Sequence, residues 1–323
     1  MSISQKNSVS EVKNIKTKTH NNDYIFGLIC VIGCQLTWGF LPIYLHFLKP
    51  IDPKIIILYR LVTMFIFALI GARLKYSFSE IFEPLKKTKT AITNVLAGFL
   101  LTIDWSIYIW AVNSGHVIQT SIGYYIEPII ICLFGILIFK EKITPYNIIA
   151  IAMAISAVIL ILVHYKQLPG VAVSLALTWA FYSAIKKGTD TPIIIALVNE
   201  TIVFAVIALA LIIYMETNKM GAIYQYGTNI KYYMMLMSGL ATVVPVALFG
   251  ISTRKVGLLV VGLAQYISPT ITLICGVRLF GETLEKTQFI AFIIIWIGIV
   301  IFTVGEIIGQ INPKIIKSTK RMK

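Results

Sequence analysis

The sequence predicts an all-α polytopic membrane protein, with ten transmembrane helices arranged as two inverted five-helix repeats. Three observations predict it. Hydrophobic residues make up 58% of the 323 positions and charged residues only 13%, whereas soluble domains carry about 25% charge. Ten segments are apolar over the roughly 20 residues that a helix needs to cross a bilayer. A set of residues also recurs at a constant offset of 141 positions, with five spans between the copies.

So few charges cannot screen so much apolar surface, which argues against a soluble enzyme, a disordered chain and a disulfide-knit secreted domain. The formal net charge of +14 comes from 28 Lys and Arg against 14 Asp and Glu. These basic residues sit at the ends of apolar runs rather than on one basic face. That is the signature of membrane topology and not of a nucleic-acid partner. The cysteines, Cys30, Cys34, Cys132 and Cys275, lie inside apolar runs with no accompanying metal-ligand pattern, so no metal, cofactor or structural disulfide is expected.

Residues 1–23 are polar and Lys-containing, without an apolar stretch of signal-peptide type, and are expected to form a disordered cytosolic tail. The spans then fall at about 24–47, 54–72, 91–112, 117–139, 145–164, 168–185, 193–214, 232–252, 257–279 and 288–309. Turn chemistry separates them: Lys49-Pro50, Asp52-Pro53, Thr144-Pro145, Pro169-Gly170 and Thr191-Pro192. The longer connections, 73–90 and 215–231, are polar, and 310–323 is a basic tail. Of the 28 basic residues, 20 fall on the side of the N-terminus and 7 on the other, with Arg60 inside a span. Both termini are therefore expected in the cytosol.

The 141-residue offset pairs Trp38 with Trp179, Gly98 with Gly239, Tyr125 with Tyr266 and Pro128 with Pro269. It also pairs Gly135 with Gly276, Phe139 with Phe280 and Glu141 with Glu282. Five spans is an odd number, so the second copy must lie upside down relative to the first. The units expected are 24–164 and 165–309. Inverted repeats of this kind are a transporter architecture, with the substrate site near midplane where they meet.

The stretch WSIYIWAVNSGHVIQTSIGYYIEP, Trp105 to Pro128, followed by FKEKIT from Phe139, resembles RarD-type permeases of the EamA group in the drug/metabolite transporter superfamily. GFLPIY after Trp38, the Tyr59-Arg60 pair and the repeated Pro-to-Glu spacing fit the same pattern. The resemblance covers about residues 24–309. It implies a ten-helix permease of the bacterial inner membrane, in a subgroup named for a link to chloramphenicol sensitivity. The chain departs from the subgroup pattern at Glu127, where Asn often precedes the proline.

Charge inside a bilayer costs about 2.5–3.5 kcal/mol per residue even on the translocon scale, so the charges retained there are candidates for function. Counted from the outer helix ends, Arg60 lies roughly 9 Å deep, Asp104 roughly 12 Å and Glu127 roughly 15 Å. These similar depths let Arg60 pair with either acid. One reading is a polar substrate site in a wet cavity, where Arg60 takes an anionic group and a carboxylate serves proton coupling. The other is a buried ion pair that locks helices together. Glu200 aligns with Tyr59, beside Arg60, and is expected to face the same cavity from the second repeat. Trp38, Trp179, Tyr108, Tyr125 and Tyr266 are candidate aromatic walls, with plain packing as the alternative for each. Tyr124 flanks the same proline as Tyr125. Gln119, Gly123 and Glu127 share one helix stripe.

Pro128 and Pro269 each remove a backbone hydrogen bond inside a span and are candidate hinges. Asn113, Ser114 and His116 mark an outer turn, where His116 reads as a gate or as a solvated histidine. Glu141 and Glu282 read as structural partners for backbone or basic groups. No Walker A loop, catalytic triad or zinc motif is present in the sequence, and an enzyme is not expected. The preferred reading is a secondary transporter of a small organic metabolite or drug. The alternatives are a membrane enzyme acting on a lipid-like substrate through Asp104 or Glu127, and a membrane subunit that transports nothing.

Overall fold

The computed structural model describes residues 3–113, 117–166, 170–227, 229–279, 281 and 285–311. Among them the chain forms fourteen helices and no strand. They are α1 (Ile3–Phe47), α2 (Pro53–Arg73), α3 (Phe78–Lys86), α4 (Thr88–Asn113), α5 (Val117–Leu137), α6 (Pro145–Tyr165) and α7 (Gly170–Gly188). There follow α8 (Ile193–Thr217), α9 (Ala222–Tyr226), α10 (Ile230–Leu236), α11 (Leu240–Lys255), α12 (Leu258–Ala264), α13 (Ile267–Leu279) and α14 (Lys286–Ile311). Eight helical stretches among the described residues are long and apolar enough to cross a membrane, two of them spanning α10–α11 and α12–α13. The 21-residue α5 and the 19-residue α7 occupy the positions of the expected fourth and sixth spans.

Local chemistry sets the boundaries. Asp52 caps α2 by accepting from the Lys54 amide at 2.8 Å, with Pro53 in the first turn. Thr144 and Pro145 start α6 in the same way. The connection 73–90 is not a plain loop, because the Ser77–Glu80 capping box starts the amphipathic helix α3 and its Ile81 is fully buried. The tail expected to be disordered is drawn into α1 from Ile3 onward. No Gly or Pro interrupts residues 3–26, and nothing there stops helix propagation.

The expected eighth and ninth spans are each broken. The eighth divides at Met237–Gly239 into α10 and α11, and the ninth at Gln265–Tyr266 into α12 and α13. Pro269 has no amide to give the Gln265 carbonyl, which accepts instead from Ser268 at 3.3 Å in a tighter turn. Its repeat mate Pro128 leaves α5 continuous.

The sequence halves interlock. Helix α1 packs on α11, α12 and α13, while α7 packs on α4 and α5, so each half lends its first helix to the other. Helices α2 and α8 pack together, as do α6 and α14, and α5 and α12. A Cβ on Gly98 would lie 1.9 Å from the Glu200 carbonyl oxygen, and one on Gly239 would lie 2.3 Å from the Met64 amide. Only glycine allows α4 onto α8, and the chain at the start of α11 onto α2, at this range.

Candidate functional site between the interlocked halves

Two turns into α2, Arg60 donates from Nε to Thr242 Oγ1 of α11 at 2.6 Å. Thr242 in turn donates to the Ser238 carbonyl at 2.8 Å, so its hydroxyl is committed as the acceptor for Arg60. The guanidinium lies 5.0 Å from the ring centre of Trp105 on α4. Tyr44, Tyr108 and Tyr124 are within electrostatic reach of it, and the Tyr108 and Tyr124 rings stand 6.0 Å apart. Three helices of the first half thus bring aromatic side chains to one cation, and α11 of the second supplies its hydroxyl acceptor.

One turn before Tyr108, Asp104 accepts a 2.8 Å hydrogen bond from Thr178 on α7. Glu127 on α5 is within electrostatic reach of Asp104, and Tyr124 within reach of both acids. The expected ion pair is not closed: among the described residues, none of Arg60, Asp104 and Glu127 has an opposite charge within 4.0 Å. All three are half-buried. Ionisable side chains left apart and partly open in a membrane-spanning layer are satisfied by water, by a ligand or, for the two acids, by a proton. Gln119, expected on the Glu127 stripe, has a side chain outside the described structure, as do Ser114, His116 and Glu282 entirely.

Glu200 lies elsewhere, against the expectation that it faces this pocket. It is 1% exposed and paired with the equally buried Lys186 at 2.8 Å, with the Tyr182 hydroxyl at 3.3 Å. Tyr59, the neighbour of Arg60, instead reaches Glu216 at 2.7 Å. Glu216 lies sixteen residues further along α8, or about 24 Å at 1.5 Å per residue. Glu200 is the repeat counterpart of Tyr59, the neighbour of Arg60, but antiparallel packing of α2 on α8 keeps the two regions apart. Glu216 also accepts from the Ile223 and Tyr224 amides, at 2.9 and 3.2 Å, and so anchors α9.

The repeat-related tryptophans meet. Trp38 and Trp179 pack edge to face at 5.2 Å, and Phe249 lies within 5.8 Å of both. Tyr182 stacks on Phe249 at 6.4 Å, extending the aromatic layer toward the Lys186–Glu200 pair. Trp38 is half-buried, and the buried Trp179 indole N–H has no hydrogen-bond partner among the described residues. Tyr125 and Tyr266 are buried at 7% and 2% exposure, Tyr125 against Phe292. The Tyr266 hydroxyl donates to the Tyr125 carbonyl at 2.9 Å, so this pair ties α5 to the α12–α13 break, with Tyr266 within electrostatic reach of Glu127.

Sequence reasoning missed Thr178, Thr242, Tyr44 and Glu216. Single threonines in spans carry no pattern, and Glu216 sat in what read as a polar connection.

Comparison with known proteins adds the family. The EamA-like transporter family model matches twice, over residues 25–163 and 170–304. The chain belongs to the EamA-like transporter family. This transporter is 31% identical to the uncharacterized transporter YojE of Bacillus subtilis, over 87% of the chain and 94% of that protein. It is 28% identical to protein RarD of Streptomyces exfoliatus, covering 87% and 89%. It is 25% identical to protein RarD of Escherichia coli, covering 88% and 96%. A solved crystal structure superposes with a TM-score of 0.66 at 14% identity, over 88% of this chain and 98% of the other, a likeness of fold alone. The EamA-like chain is a RarD-type, multi-pass membrane protein.

Proposed function

We propose that this EamA-like chain is a secondary transporter that carries a small organic metabolite or drug across the bacterial inner membrane by alternating access. The observation that carries the reading is the cluster of Arg60, Asp104 and Glu127, three half-buried ionisable side chains that have no opposite charge within 4.0 Å among the described residues. Arg60 is held by Thr242 to take an anionic group of the cargo, and Tyr108, Tyr124 and Trp105 offer flat apolar walls to its remainder. Asp104 and Glu127 are the acids placed for proton coupling. Trp38 and Trp179, which meet edge to face, supply further aromatic surface. Tyr125 and Tyr266 tie α5 against α12–α13 beside Glu127, next to Pro128 and Pro269 as hinges.

Ten spans in two inverted repeats, 24–164 and 165–309, complete this reading. Exchanging the repeats maps α1 on α11 to α7 on α4, and α1 on α12–α13 to α7 on α5, both of which occur. It maps Gly98 against α8 to Gly239 against α2. Lys140 and Gly281 share the offset and a left-handed backbone, with φ of 52° and 69°. Positive charge on the side of the N-terminus puts both termini in the cytosol.

The test is uptake of a panel of labelled metabolites and drugs into proteoliposomes, with and without a pH gradient. Arg60→Ala and Asp104→Asn are expected to abolish uptake while inserting normally. Full uptake in both variants would overturn the proposed site.

A further inference from the structure

The strongest unused arrangement lies at the turn between α11 and α12, on the face that gathers the basic residues. That turn presents the carbonyl end of α11 and the amide end of α12. Lys187, in the last turn of α7, donates from Nζ to the Thr253 and Val256 carbonyls at 3.2 and 3.3 Å. Glu141, just past α5, accepts from the Leu258 amide at 2.7 Å and from the Leu259 amide at 2.9 Å. The two side chains also pair with each other at 3.1 Å, at 18% and 14% exposure. Gly257 clears the space, since a Cβ there would lie 2.5 Å from Glu141 Oε2. One cation on free carbonyls and one anion on free amides make charge-assisted bonds stronger than neutral ones.

Both side chains come from elements packed with α4, α5 and α7, and both grip the group formed by α1, α11, α12 and α13. The two side chains therefore bridge the seam between those groups. Across the same seam Trp38, Trp179, Phe249 and Tyr182 pack together, and Cys132 Sγ reaches the Leu259 carbonyl at 3.5 Å.

We infer that Lys187 and Glu141 form the gate on the basic face, closed in this conformation, and that transport requires their release from the α11–α12 turn. The inference rests on the alternating-access reading. It also gives Glu141 a role beyond holding local structure.

The experiment uses the full chain in nanodiscs with Cys30, Cys34 and Cys275 changed to Ala, and reads the rate at which N-ethylmaleimide modifies Cys132. Glu141→Gln and Lys187→Met are each expected to raise that rate about tenfold or more. The exchanged pair Glu141→Lys with Lys187→Glu should raise it as well, because it restores the ion pair but sets each charge against the wrong helix end. A slow rate in both single variants overturns the gate. So does parent-like protection in the exchanged pair, which would make the contact a plain ion pair. A protein retaining only Cys275, buried in α13, separates opening from unfolding: its labelling is expected to stay slow in the gate variants, and equal acceleration there overturns the inference. In a cysteine-free background, Tyr44→Cys on the opposite face should label more slowly when the gate variants are added. If Cys132 responds and Tyr44→Cys does not, the gate stands and alternating access is the reading that fails.

Discussion

At Arg60 a single hydroxyl decides what the cation can do. Thr242 accepts from Nε and donates to the Ser238 carbonyl, which holds the guanidinium against Trp105 and leaves its remaining N–H groups for other partners. Thr178 performs a similar service for Asp104, and its hydroxyl also lies 3.0 Å from the Ser174 carbonyl. Its proton can therefore turn to the helix when Asp104 carries one. Thr178→Val should lower uptake about tenfold and Thr178→Ser should restore it. Equal activity of Val and Ser in initial-rate assays would remove Thr178 from the site. The Lys186–Glu200 pair makes a different prediction. Lys186→Met strands a buried carboxylate and should destabilise the protein by about 3–5 kcal/mol, whereas Lys186→Met with Glu200→Leu should recover most of that. Thermal unfolding in detergent reads both, and a double variant no more stable than the single would show that the pair is not the source of the loss.

Among the elements, close approach is where sequence became geometry. Gly98 and Gly239 both face helix backbone at distances no side chain allows. Gly98→Ala and Gly239→Ala should each destabilise by about 1–3 kcal/mol or more, with similar losses because the contacts are repeat-related. A large loss at one position and none at the other, in the same unfolding measurement, would break the equivalence. Helix α3 is held by its cap, and the Ser77 amide and hydroxyl keep the Glu80 carboxyl below its usual range. A lowered carboxyl contributes stability above its unfolded value, about pH 4.3, and loses it as pH falls through the folded value. Hydrogen exchange of the α3 amides should therefore speed up in acid relative to neighbouring helices, and Glu80→Gln should flatten that response. Unchanged acid sensitivity in Glu80→Gln would exclude the cap as its cause.

For the whole molecule, the distribution of basic residues predicts that both termini share the cytosolic side. Single cysteines at Ser2 and Ser318 in a cysteine-free chain should label in inside-out vesicles and stay protected in right-side-out ones. Opposite behaviour of the two ends would require an odd number of spans. The interlocking of α1 and α7 also places the seam bridged by Lys187 and Glu141 between groups drawn from both sequence halves. A linear division at residue 164 could not have located it. The charged residues Arg60, Asp104 and Glu127 were legible because a bilayer makes charge conspicuous. Their separation was not, since the distance between side chains on three helices depends on packing. Glu200 was misplaced for the same reason: the offset in sequence gave its counterpart, and the antiparallel contact of α2 with α8 set it about 24 Å away from Tyr59's partner along the helix.

By itself the sequence determined the helical class, the apolar stretches, the charge asymmetry and the 141-residue recurrence, because hydrophobic length, basic-residue placement and repetition are properties of order along the chain. Only the tertiary structure decided which helices exchange places, where the eighth and ninth spans break, that Trp38 meets Trp179, and that Lys187 and Glu141 close on one turn. Those outcomes depend on contacts between residues far apart in sequence, where the distance between backbones and the geometry of hydrogen bonds choose among arrangements that the same apolar pattern permits equally.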